Sequence, residues 1–189
     1  STIMPWHNNG IHPEETFLPE LFLGAGYQTA MVGKWHLGHA QQSYHPNARG
    51  YEHFYGHLHT EVGFYPPFAS LGGKDFQRNG VSIDDQGYES FLLADEVSRY
   101  IVERDKTRPF FIYMPFIAPH TPLDAPEDLQ AKYADMPDEH GKSRSKMADN
   151  TRFMAKLTGR DSACPMYAAV VDGMDQAIGK VLDTLDAEG

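Results

Sequence analysis

The sequence predicts an α/β fold, and three observations carry that prediction. A short apolar helical pattern, a glycine stop and a buried-strand pattern follow one another within residues 16–33. A second apolar run, residues 109–115, is continuous and bounded by prolines. That is the pattern of a central strand buried on both faces. Two longer segments, 90–103 and 165–187, repeat apolar residues at helical spacing. Helices and buried strands in this order are the parts of a layered α/β structure.

Each element has its own local reason. Residues 1–15 are rich in Pro, Gly, Asn and His and read as irregular. Thr16 is a candidate N-cap for a short helix over 17–23, and Gly24 and Gly26 supply the stop. Residues 27–32 read as a buried strand ending at Gly33. The stretch 38–87 is dense in His, Tyr, Gly, Pro and Asn, which predicts loops and short strands rather than a second core. In 90–103 the apolar positions are Phe91, Leu92, Ala94, Val97, Ile101 and Val102. Residues 118–123 form a proline-pinned loop, and 126–133 a short helix. Residues 134–163, with an acidic cluster at 135–139, read as a solvated excursion. The last helix, 165–187, carries an apolar stripe of Val170, Val171, Met174, Ala177, Ile178, Val181, Leu182 and Leu185.

Composition bounds the function. The chain has 189 residues, long enough for a real core, and its hydrophobic fraction of 41% opposes intrinsic disorder. A net charge of −10 argues against nucleic acid as a partner, although a local basic site can still take an anion. No apolar run is long enough to span a membrane. The single cysteine, Cys164, excludes an internal disulfide and any multi-cysteine metal site. Its sequence context, opening a helix, reads as structural. The first residues lack a secretory pattern and an initiator Met, so processing or truncation is expected to have removed what came before.

The two strand patterns each run into a loop with histidine. The first leads to Lys34 and His36, the second to His120. Ligands of open α/β sheets bind outside the carboxyl ends of strands. A lysine and two imidazoles converging there make a cationic, proton-transferring pocket suited to a tetrahedral oxyanion such as sulfate or phosphate. The alternative is plain structure: a turn around a packed Trp35, and a rigid Pro-His-Thr-Pro connection. His57, His59 and Glu61 alternate as strand residues on one face would. Zinc is one reading of that alternation; a polar, solvent-facing strand is the preferred one.

Four segments resemble the sulfatase family. Residues 26–38, with Gly33, Lys34, Trp35 and His36 in sequence, look like its second hallmark segment. Residues 49–56 resemble the family segment next in order. The strand 109–113 with the loop around His120, and the helix opening 167–175, match two later segments in the same order. The resemblance implies an alkaline-phosphatase/sulfatase-like mixed sheet sandwiched by helices, incomplete in this chain. It also implies an arylsulfatase-like sulfuric ester hydrolase that uses calcium and a formylglycine nucleophile.

Carried over by that resemblance, Lys34 would contact sulfate and the formylglycine. His36 would hydrogen-bond the formylglycine and help expel sulfate. His120 would contact sulfate and help protonate the leaving alcohol. His59 and Glu61 become substrate-contact candidates near the pocket mouth. His7, His12, His45 and His140 are expected to be exposed loop residues. The family's Cys/Ser-x-Pro-x-Arg nucleophile segment and its Asp and Asn calcium ligands have no match in residues 1–189. The chain is therefore expected to be a partial catalytic domain with no metal ligands of its own and no turnover by itself. The expected substrate is a small-molecule or carbohydrate sulfate ester, and the full-length protein is expected to be exported. A phosphoesterase or phosphonate hydrolase of the same superfamily, and a non-catalytic binding derivative, are the alternatives.

Overall fold

The computed structural model describes residues 3–4, 6–59, 63–66, 73–136 and 163–189. The fold is organised around strand β1 (Gln28–Lys34), whose first six residues are buried. Its faces are covered by clusters packed on both sides of the sheet, and its edges by two parallel neighbours. These are β2 (His53–His57) on one side and β5 (Phe110–Tyr113) on the other. Beyond β2 the sheet turns antiparallel through β3 (Gln77–Arg78) and β4 (Val81–Ser82). Among the described residues the strand order is β4-β3-β2-β1-β5, a mixed sheet.

Successive residues of β1 point to opposite faces, so Met31 and Val32 serve different cores. Val32, Tyr55 and Phe76 pack against Leu93, Val97 and Ile101 of helix α2 (Glu89–Glu103). Met31 packs with Trp35, Tyr51, Phe54 and Leu58, under Phe17 before helix α1 (Leu18–Gly24). A third cluster joins helix α3 (Glu127–Lys132) to α4 (Ala163–Glu188) through Leu129, Met166, Ala169 and Val170. Helices thus cover the sheet, as the sequence predicts. No helix among the described residues is long and apolar enough to cross a membrane.

Several expectations need correction. Helix α1 is capped by Phe17, not Thr16; the Glu20 carboxylate accepts the Phe17 N–H at 3.0 Å and does the capping from inside the helix. Strand β1 does not stop at Gly33 but carries on to Lys34. The region 38–87 does contain core: β2 is buried from Phe54 to His57. Its sequence hides this because it is short and broken by Gly56, and glycine weakens a strand pattern. Gly56 sits opposite Gly33 with φ of 142°, and a Cβ there would lie 2.1 Å from the Gly33 carbonyl oxygen.

Strand β5 has four residues and lies at the edge of the described sheet. Tyr113 is 49% exposed, so the run is not buried on both faces. Helix α4 begins at Ala163 and includes Cys164 in its first turn. Its apolar stripe is only partly covered, with Ile178 and Leu182 exposed. The face that packs runs from Met166, Ala169 and Val170 through Gly173, Met174 and Ala177 to Val181 and Leu185. It is narrow at Gly173 because α4 lies close to Tyr88: a Cβ there would sit 2.9 Å from its ring. The excursion from 137 to 162, with His140 and most of the acidic cluster, lies outside the described residues.

One polar cluster had no sequence signal. Glu96 on α2 is buried and takes His53 at 2.7 Å, Arg78 at 2.9 Å and Arg99 at 2.6 Å. Burial pushes its carboxyl up, but these three hydrogen-bonding partners outweigh it and hold the group well below the usual carboxylate range. The cluster ties α2 to β2 and β3.

Candidate active site

The site grows from the carboxyl end of β1. The Lys34 N–H donates to the Pro115 carbonyl at 2.9 Å, joining β1 to the chain after β5. The next two amides turn the other way. Trp35 donates to the His57 carbonyl at 2.9 Å and His36 to the Leu58 carbonyl at 3.0 Å. The segment 34–36 is therefore clamped between the ends of both neighbouring strands. Trp35 is buried against Phe17 and Tyr51 and donates its indole N–H to the Tyr44 carbonyl at 2.8 Å. The structural reading of that turn is thus correct for Trp35 and compatible with a site beside it.

His36 adopts φ of 60°, a left-handed conformation uncommon for a non-glycine residue. Its Nε2 lies 3.0 Å from the Ile3 carbonyl. A carbonyl only accepts, so Nε2 carries the proton and Nδ1 is the accepting nitrogen of the neutral ring. His120 is exposed, between the cis peptide bonds Ala118–Pro119 and Thr121–Pro122. Its Nδ1 faces the Thr121 carbonyl at 2.6 Å, which leaves Nε2 for proton exchange.

Burial lowers the His36 pKa from the usual 6.5; the Ile3 carbonyl opposes this, and the charges of Lys34, His120 and His57 add to it. Lys34 and His36 stand at the carboxyl end of β1, and His120 in the loop after β5. The stability contribution of neutral His36 is fully present above pH 6.5 and is lost as pH falls through its lowered folded value. An NMR titration of its ring protons is expected to give a midpoint below 6.5. A midpoint at or above that value would contradict the burial of the ring.

The other candidates part company. His59 lies just past β2; its N–H donates to Asp75 Oδ2 at 2.8 Å and its ring lies 3.8 Å from that of His39, centroid to centroid. Glu61 lies outside the described residues. His57 corrects the solvent-facing strand reading. The strand ends there, the ring is fully buried, and Nε2 meets Glu89 Oε1 at 2.9 Å. His12 is exposed as expected, but His7 and His45 are partly buried. His7 accepts the Met4 N–H at 3.1 Å, and His45 meets the His39 carbonyl at 2.9 Å. Sequence reasoning missed Glu89, Asp75 and His39. Glu89 had one faint signal, an acid in a helix's first turn.

Lys34 and two imidazoles do not suit a calcium ion. A charged lysine has no lone pair to offer, and this hard cation takes carboxylate and carbonyl oxygens. Among the described residues no three His, Cys, Asp or Glu side chains gather in a metal-holding group. The donor set suits the opposite charge.

Fold and site together define an α/β protein with Lys34 and His36 at the carboxyl end of parallel strand β1 and His120 in the loop after β5. The Sulfatase family profile matches residues 1–189, and the chain belongs to that family. It is 27% identical to an uncharacterised sulfatase of Schizosaccharomyces pombe, over 98% of this chain and 40% of that protein. It is 28% identical to an arylsulfatase of Klebsiella aerogenes, over 92% of this chain and 44% of that protein. The crystal structure of Ps i-CgsB with k-i-k-neocarrahexaose superposes with a TM-score of 0.72 at 25% identity, covering 96% of this chain and 39% of that one. The mixed sheet and its helices are those of the alkaline-phosphatase-like sulfatase fold. The chain spans roughly two-fifths of the length of these relatives, 40% and 44%.

Proposed function

We propose that the protein of which this chain is part hydrolyses sulfate esters, with Lys34, His36 and His120 at the sulfate. The placement of Lys34 and His36 at the carboxyl end of β1 and of His120 in the loop after its parallel neighbour β5, in a chain of the sulfatase family, supports this reading. Lys34 brings a point charge to the anionic oxygens. His120, tied through Nδ1 to Thr121, has Nε2 to protonate the leaving oxygen. His36 has its Nε2 proton on Ile3 and offers Nδ1 as an acceptor, which fits it to draw a proton and help expel sulfate.

Calcium and formylglycine belong to the same proposal as groups brought by segments outside this chain, and the roles of the three side chains stand without them. His59 and Glu61 are proposed as substrate contacts. The saccharide bound to Ps i-CgsB favours a sulfated carbohydrate as the substrate class. Export of the full-length protein is part of the proposal.

The test is turnover of an aryl sulfate and of the matching aryl phosphate by the full-length protein and by residues 1–189 alone. Sulfate hydrolysis by the full-length protein only is expected. Faster phosphate hydrolysis would favour the phosphoesterase alternative, and no hydrolysis of either a binding role.

A further inference from the structure

The buried His57–Glu89 pair lies against the candidate site and has no role in the chemistry above. Both side chains are fully buried, on elements far apart in sequence: His57 ends β2 and Glu89 begins α2. Both ring nitrogens of His57 face oxygen: Nε2 faces Glu89 Oε1 at 2.9 Å, and Nδ1 faces the His59 carbonyl. That carbonyl cannot donate, so Nδ1 carries a proton. The remaining proton lies between Nε2 and the carboxylate. Glu89 stands in the first turn of a 15-residue helix, where the unpaired amides favour a carboxylate. Its second oxygen, Oε2, is buried with no hydrogen-bond partner among the described residues, so His57 is the one side chain there that hydrogen-bonds this carboxyl.

We propose that His57 and Glu89 are an imidazolium–carboxylate pair that positions the active site by locking the turn at residues 57–59. The turn is where the site is hung: the His57 and Leu58 carbonyls receive the amides of Trp35 and His36. His57 holds the turn from below by its grip on the His59 carbonyl. Asp75 holds it from the side, accepting the Leu58 and His59 amides at 3.1 and 2.8 Å. The groups facing His36 are Lys34 from its own strand, His57 from β2 and His120 from the loop after β5; Glu89 faces His57 from α2. The pair therefore sets both the backbone under His36 and part of the field around it.

The positioning role rests on the sulfatase reading; the protonation state of the pair does not. Histidine-labelled full-length protein is expected to show two protonated ring nitrogens on His57. In Glu89→Gln the amide can donate to Nε2, so His57 is expected to carry one proton fewer and the His36 midpoint to rise. The kcat for an aryl sulfate is expected to fall about tenfold, more than KM changes, since small misplacements cost rate. Asp75→Asn loosens the same turn without touching the pair. It is expected to lower kcat and leave the His36 midpoint where it was. A single protonated nitrogen on wild-type His57 overturns the proposal, and decides it even where Glu89→Gln does not fold. A folded Glu89→Gln with an unmoved His36 midpoint and unchanged kcat also overturns it. Absence of wild-type turnover would sink the sulfatase reading, with the two NMR readouts still deciding the pair.

Discussion

Replacing Lys34 with methionine is expected to lower kcat/KM for a sulfate ester about 10²–10³-fold, the usual cost of removing one positioned oxyanion partner. Methionine keeps an unbranched stem, and the backbone amide of residue 34 keeps its bond to the Pro115 carbonyl. The change therefore removes the ammonium group and keeps an apolar stem and the backbone bond. Because the Lys34 charge helps lower the His36 pKa, the same variant is expected to raise the His36 titration midpoint. Steady-state kinetics on the full-length protein, with a thermal melt to confirm folding, measure both sides. A folded variant with wild-type kcat/KM would remove Lys34 from the site. A rise in KM alone would mean that its charge binds substrate and transition state equally.

Gly33→Ala is expected to cost about 3–5 kcal/mol of stability, at the severe end for a single substitution. Two independent facts point the same way. Gly33 has φ of 136°, a region that L side chains rarely adopt. A Cβ there would also lie 2.1 Å from the Pro115 carbonyl oxygen, and backbone cannot step aside cheaply. That carbonyl is the one that accepts the Lys34 amide, so the strain reaches the site as well as the sheet. Gly24→Ala is the control. A Cβ there meets nothing within 4 Å, and its effect is expected within about 0.5 kcal/mol. Urea unfolding of both variants checks the pair; equal midpoints would refute the packing argument.

Much of the fold was legible because it is written locally. Gly24 and Gly26 after an apolar turn, then Thr29 to Val32, announced α1 and β1 without reference to anything distant. The periodicity of α2 and α4 located them to within a few residues. The covered face of α4 was less legible. A wide apolar stripe offers more than one face, and the choice fell to the one narrow enough at Gly173 to fit beside Tyr88. Strand β2 was illegible because its glycine is required by the close approach of Gly33, a contact between strands 23 positions apart in register. The site divides similarly. Lys34, His36 and His120 carry their chemistry in their side chains and follow apolar strands, so residue type and order were enough to single them out. Glu89 and Asp75 act only through the groups they touch, and those groups are distant in sequence.

By itself the sequence determined the α/β class, located α1, β1, α2 and α4, carried the family resemblance, and singled out Lys34, His36 and His120 as candidates for an oxyanion site. The elements and candidates depend on residue type and spacing within one segment, and the family on four segments in order along the chain. Only the tertiary structure decided that His57 faces inward onto Glu89 rather than outward to solvent, that β5 lies at the edge of the described sheet, and that the turn at 57–59 supports Trp35 and His36. The physical reason is strand register. The parallel pairing of Lys34 with His57 brings the ends of β1 and β2 level, and the packing of α2 on the sheet then brings a carboxylate to the buried ring. Register and helix placement are set by the whole core, and no local pattern encodes them.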